Sequence, residues 1–137
     1  MSIINSYTTK QALKDGVLIA VDHVDYSKAG IKFPVNFTDT TWKRYVEVPK
    51  GMEHFQDLSG RLWDVLFMFA IKAQKTRSST MRFSFVCQLP SDFPTLDNED
   101  NCGDGELLRG VTLKAVIGPR DIDDPRPGIT IMFPNED

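Results

Sequence analysis

GRLWDVLFMFAIKAQK, residues 60–75, is the stretch that leaves this chain the fewest possible folds. Its apolar residues point in nearly every direction around a helical axis, a pattern that a helix with one wet face would not tolerate. A helix over residues 59–75 is therefore expected to be buried on several sides in its first half. Lys72, Gln74 and Lys75 mark the half that emerges, where positive charge complements the negative end of the helix dipole. The run from Leu62 to Ile71 is too short to span a bilayer and contains Asp64, so its cover must come from a protein core.

Three downstream segments can supply that cover. In MRFSFVCQL (81–89), Phe83, Phe85, Cys87 and Leu89 alternate with Arg82, Ser84, Val86 and Gln88. Val111, Leu113, Ala115 and Ile117 share one face of VTLKAVIG (111–118), and Ile129, Ile131 and Phe133 share one face of GITIMF (128–133). A period of two with one apolar side describes an antiparallel sheet covered on one face. The expected architecture is α+β: a helical N-terminal half, with one long buried helix, packed on a C-terminal antiparallel β-sheet of three to four strands. At 137 residues the chain suits a single domain, 1–137, that folds without disulfides or metal.

Punctuation divides the N-terminal half. TTKQALKDG (8–16) reads as a short helix closed by Gly16, and VLIAV (17–21) as a buried strand. DYSKAG (25–30) reads as one helical turn. FPVNF (33–37) is extended, because Phe33 precedes a proline. TDTTWKRYVEV (38–48) spaces Trp42, Tyr45 and Val46 as a helix does, and Pro49 ends it. Near the other end, Gly118-Pro119 reads as a turn. PRDIDDPRP (119–127) is too long and too proline-rich for a tight hairpin, so it is expected to be a loop projecting beside the acidic loop.

Charge is unevenly placed. Residues 1–76 balance at +2 and residues 77–137 at -5, within a net charge of -3. That total offers no basic footprint for a nucleic-acid backbone, so direct nucleic-acid binding is not expected. SDFPTLDNEDNCGDGE (91–106) holds six acids and no base. Within it Asp97, Glu99, Asp100, Asp104 and Glu106 form a surface suited to a basic partner, and Arg120 and Asp121 extend the set from the neighbouring loop. The two cysteines, Cys87 and Cys102, fit reduced thiols in an intracellular, cytoplasmic protein. MSIINSYTTKQ, at the N-terminus, has no apolar stretch of signal-peptide length.

No cluster makes a convincing catalytic set. Asp22, His23 and Asp25 are adjacent in sequence, and neighbours of that kind rarely converge on one ion. His54 has Glu53 beside it and Asp57 three residues on, without a Ser or Cys in a recognisable nucleophile setting. The loop 97–106 fails the D-x-[DN]-x-[DN]-G-x5-E calcium pattern in every register. No phosphate-binding glycine loop occurs. The chain is therefore not expected to be an enzyme or to carry a cofactor or metal, although a hydrolase using His23 or His54 is the reading that would overturn this.

Arg61, Trp63 and Asp64 open the long helix and admit two readings. Asp64 can sit in the first turn, where negative charge is favoured, and Arg61 can pair with it at i,i+3 on the surface. Trp63 then anchors the helix start against the N-terminal half, and Arg61 and Trp63 are sealed in the core. The alternative is a pocket lined by Arg61, Trp63, Asp64 and Arg120, where Trp63 stacks a base and an arginine takes a phosphate.

Three blocks, GVLIAVD…AGIKFPVNFT…W (16–42), GRLWDVLFMFAIKA (60–73) and LKAVIGPRD…GITIMFPNED (113–137), together cover most of the chain. On these blocks the chain resembles a family of small uncharacterised proteins of bacteria, plasmids and phages, classed as a domain of unknown function. The resemblance implies a small intracellular accessory protein of a mobile element, and the acidic loop lies outside its blocks. The function expected is binding of a host protein or complex, as an anti-defence inhibitor does, with small-molecule or nucleotide sequestration as the alternative. No membrane association is expected, and an unpaired edge strand could join a second copy into a homodimer.

Overall fold

The computed structural model describes residues 9–54, 56–101, 108–121 and 124–136. In chain order the elements are α1 (Thr9–Lys14), β1 (Leu18–Ala20), α2 (His23–Lys28), β2 (Val35–Thr38) and α3 (Asp39–Thr41), the last continuing into a π-helical turn (Trp42–Val46). Then come α4 (Leu58–Gln74), β3 (Thr80–Gln88), β4 (Glu99–Asn101), β5 (Leu108–Asp121) and β6 (Asp124–Met132). The architecture is α+β, with α4 lying on a six-stranded sheet of order β1-β2-β6-β5-β3, where β4 also pairs with β5.

The alternation read from the sequence builds the inner face. Met81, Phe83, Phe85 and Cys87 of β3 are buried, and Arg82, Ser84 and Val86 between them are exposed. Val111, Leu113 and Ala115 of β5 and Ile129 and Ile131 of β6 continue the same face. Leu62, Val65, Leu66 and Phe69 of α4 close over it, so the helix and strands share one hydrophobic cluster.

The sheet has more strands than expected, and it is mixed. Val35, Asn36 and Phe37 are all buried, so β2 is an interior strand; it pairs parallel to β6, with Val35 opposite Ile129 and Phe37 opposite Ile131. β1 joins antiparallel at the edge and is only partly buried, against the buried strand expected there. The N-terminal half is thus not a helical layer, because it contributes two strands to the sheet. Its helices are short: Asp22 caps α2 by accepting from the Val24 amide at 3.1 Å, and the turn at 42–46 closes with Glu47 N donating to Trp42 O at 2.9 Å, an i→i+5 bond.

The segment 119–127 also departs from expectation. Gly118 pairs with Gly128, Pro119 with Pro127 and Asp121 with Asp124, so the strands run through the predicted loop, with an irregularity between Pro119 and Asp121. Prolines are tolerated here because β5 has passed its last paired position on β3, Val116, and β6 has not yet reached β2 at Ile129. This hairpin tip and the segment after β3 lie at opposite ends of β5, not at one end.

The long helix is covered on one side only. Arg61, Leu62, Val65, Leu66 and Phe69 face inward, while Trp63, Phe67 and Met68 stay exposed. The sheet can meet only one stripe of α4, and no second layer among the described residues covers the other. No described helix is long and apolar enough to cross a membrane.

Candidate functional site

Asp57 fixes where α4 begins. Its carboxylate accepts from the Gly60 amide at 2.8 Å and caps the first turn. That start places Arg61 on the inner stripe and Trp63 and Asp64 on the outer one. Between the helix start and the end of β3 lies a groove of about 700 Å³, whose walls include Glu53, His54, Gln56, Asp57, Arg61, Trp63, Asp64, Cys87 and Gln88.

Arg61 is 6% exposed and does not pair with Asp64. Its Nη1 donates to Gln56 Oε1 at 2.6 Å and to Gln88 O at 2.8 Å, and its Nη2 donates to Arg44 O at 3.2 Å. The last contact caps the helical segment ending at Val46, where a cation is favoured by unpaired carbonyls. The expected surface pair fails because Arg61 shares the i,i+4 stripe of Val65 and Phe69, whereas Asp64 points outward. Burial raises the Asp64 carboxyl above its ordinary value, although Arg61 pulls it down.

Trp63 is not sealed. It is 41% exposed and stacks on Phe67, with centroids 5.4 Å apart and planes 24° from parallel. Arg61 and Trp63 therefore do line one groove, Arg61 on its floor and Trp63 on its wall. Cys87 shares the floor; burial raises its thiol above the usual value, and the Arg61 charge opposes that rise without cancelling it. His54 is exposed on the rim, and among the described residues no hydrogen bond joins it to Cys87. His23 lies away from the groove, bonded to Ser27 Oγ at 3.2 Å on exposed α2. No metal-binding cluster occurs among the described residues.

The acidic segment divides. Glu99 turns inward and is 4% exposed, because it stands opposite Val111 on the core face, whereas Asp100 and Asn101 are exposed. Arg44 grips its carboxylate with two bonds, Nε to Oε2 at 2.6 Å and Nη2 to Oε1 at 2.9 Å. Arg109 Nη1 reaches Oε1 at 2.9 Å, and the Tyr45 hydroxyl donates to Oε2. Burial alone would raise the Glu99 carboxyl, but hydrogen bonds from Arg44, Tyr45, the Leu96 amide and Arg109 outweigh it and hold the pKa at about 2. Burial and the donated bond to Glu99 push the Tyr45 phenol well above its usual value.

Asp97 and Asp100 are exposed and line a second hollow of about 630 Å³ with Arg82 and Thr112, on the sheet face away from α4. Asp104 and Glu106 lie outside the described residues. The backbone of Arg120 and Asp121 runs at the far end of β5, remote from both the groove and the acidic segment. Among the described residues, those singled out from sequence therefore do not lie together.

Arg44, Gln56 and Arg109 were missed. For Arg109 a signal existed: extending the alternation of Val111, Leu113 and Ala115 back by two places it on the buried face. Arg44 and Gln56 gave no such signal, since their roles depend on contacts 55 and 32 residues away in sequence. Neither a curated protein nor a solved structure matches the chain. A family model, however, matches from end to end: over residues 1–137 the chain belongs to the family of unknown function DUF6573.

Proposed function

We propose that this chain is a non-enzymatic binding protein that seats a basic segment of a protein partner in the α4 groove. The observation that carries this reading is the exposed Trp63–Phe67 stack beside three carboxylates, Glu53, Asp57 and Asp64, that line the same groove. An exposed aromatic surface on the uncovered side of the helix is a site that association can cover. Lysine and arginine are the side chains that satisfy both the ring faces and the carboxylates.

The family resemblance extends the proposal to biology. The partner would be a host protein or complex, and the basic segment would belong to a surface, such as a nucleic-acid groove, that an anti-defence inhibitor from a phage or plasmid occupies. The nucleotide alternative is less favoured electrostatically, since among the described residues three carboxylates line the groove against one arginine. Arg120, named with Arg61 and Trp63 for the pocket of that alternative, belongs to the far end of β5.

The test is fluorescence anisotropy with a set of Lys- and Arg-containing peptides and their Gln-substituted counterparts. Basic peptides should bind in a salt-dependent manner, and Trp63→Ala should weaken them by about thirtyfold, as loss of a central aromatic contact does. Equal binding of the Gln-substituted peptides, or no change on Trp63→Ala, would sink the reading.

A further inference from the structure

We infer that the floor of the groove is a carboxylate-binding subsite, formed by Arg61 and held in reserve by the amide of Gln56. A guanidinium carries five N–H donors and stays charged throughout the working pH range. The Arg61 bonds to Gln56 Oε1, Gln88 O and Arg44 O use three of them, and all three acceptors are neutral. Among the described residues Nε has no oxygen or nitrogen acceptor, although the Cys87 thiol lies beside the guanidinium. Among the described residues Arg61 makes no ion pair, although it is more than nine-tenths buried.

The contrast with Arg109 gives this arrangement its meaning. Arg109 is also buried and also has an unpartnered Nε, but it holds the Glu99 carboxylate at 2.9 Å. Arg61 has similar burial without a carboxylate in direct contact among the described residues, the nearby Asp64 acting on it only through space, and it lines the groove. Nη1 and Nη2 form the end-on edge of the guanidinium, an edge that can meet the two oxygens of a carboxylate, and Gln56 Oε1 is bonded at Nη1.

Gln56 is the natural placeholder. Its Oε1 occupies Nη1 at 2.6 Å while its Nε2 donates to Gln88 Oε1 at 2.8 Å, and the residue is only partly buried. An entering carboxylate exchanges a neutral acceptor for a charged one, and the displaced amide can turn to solvent. Glu53, Asp57 and Asp64 on the walls favour a single carboxylate over a multiply charged phosphate. A segment that carries basic side chains and one carboxylate, at its chain end or on a side chain, satisfies walls and floor together. The peptide source rests on the binding reading above; the subsite itself does not.

The test follows the Arg61 Nε–H resonance by NMR while benzoate, benzamide or phenyl phosphate is titrated. Benzoate should shift it saturably, and benzamide should not. Gln56→Glu should raise the melting temperature by supplying the carboxylate from within, and should abolish the benzoate response. Arg61→Lys should weaken benzoate by at least about tenfold, since a point charge replaces the fork. A silent Nε–H, an equal response to benzamide, a response to phenyl phosphate as strong as to benzoate, or a Gln56→Glu protein that still binds benzoate would each overturn the subsite. Basic peptides with free and with amidated C-termini complete the experiment. Preference for the free form assigns the carboxylate to a chain end. Benzoate binding without any peptide binding removes the partner reading alone, and peptide binding with a silent Nε–H removes the subsite alone.

Discussion

Arg109 Nη1 donates to Glu99 Oε1 at 2.9 Å across the diagonal between β5 and β4, with both side chains inside the protein. The same guanidinium holds the carbonyls of Pro90, Phe93 and Pro94, so one buried arginine ties the segment after β3 to the sheet. Arg44 joins from the π-helical turn and binds both Glu99 and the Pro94 carbonyl. Two cations thus depend on one carboxylate.

Removing that carboxylate should be severe. Glu99→Ala leaves Arg44 and Arg109 without a counter-charge, which costs about 3–5 kcal/mol when one partner of a buried pair is lost. Asp97→Asn, two residues away and exposed, should stay within about 0.5 kcal/mol. Urea denaturation of the two variants measures the difference, and similar losses would contradict the assignment.

Acid should act through the same group. The folded Glu99 pKa is about 2, below its ordinary 4.5, so its contribution is fully present above 4.5 and is lost as pH falls from there towards 2. A guanidinium stays charged throughout that window, so the loss comes from neutralising the carboxylate. Denaturation midpoints for the wild-type protein should fall across that window more steeply than those of Glu99→Gln. Parallel slopes would show that other carboxylates govern the acid limb.

Near the C-terminus, Glu136 should matter more than an end residue usually does. Its Oε1 accepts from Thr38 Oγ1 at 2.9 Å and from the Phe133 amide at 2.8 Å, and its Oε2 accepts from Thr40 Oγ1 at 3.2 Å. Its backbone carbonyl also accepts from Lys114 Nζ. Glu136→Ala should destabilise by about 1–3 kcal/mol, the cost of stranding partly buried donors, while Asn135→Ala should be close to neutral. Thermal melts of both variants distinguish a clasp from a loose end.

The Cys87 thiol should resist modification. Burial raises its pKa and keeps it protonated at neutral pH despite the nearby Arg61. In a Cys102→Ser background, maleimide should label the native protein at least about a hundredfold more slowly than the denatured one. Rapid native labelling would mean that the groove floor opens readily.

The strands and the long helix were legible because their signals are local. Phe83, Phe85 and Cys87, or Val111, Leu113 and Ala115, each declare a buried face through a period of two. The helix over 58–74 declared itself through length and apolarity. β2 was read as extended, but its parallel pairing with β6 was not legible, since it joins residues almost a hundred apart. The prolines of 119–127 misled for a related reason: a proline forbids a ladder bond only where a neighbouring strand needs one, and neighbours are set by topology.

The candidate site was legible in part. Arg61, Trp63 and Asp64 were singled out together, but their division between inside and outside was read the wrong way for Trp63. An apolar helix asks to be covered, and the sequence does not say how many sides its neighbours can reach. Glu99 misled more deeply, because a carboxylate in an acidic run looks solvated until the arginines that bind it are in place.

By itself the sequence determined which segments are strands and helices and which face of each is apolar, since the hydrophobic effect acts on patterns that one segment carries alone. Only the tertiary structure decided where charge is buried. A guanidinium or carboxylate can leave water only when partners from distant segments meet it, as Arg44 and Arg109 meet Glu99. It also decided that Arg61 leaves water bonded, among the described residues, to neutral acceptors on the floor of a groove.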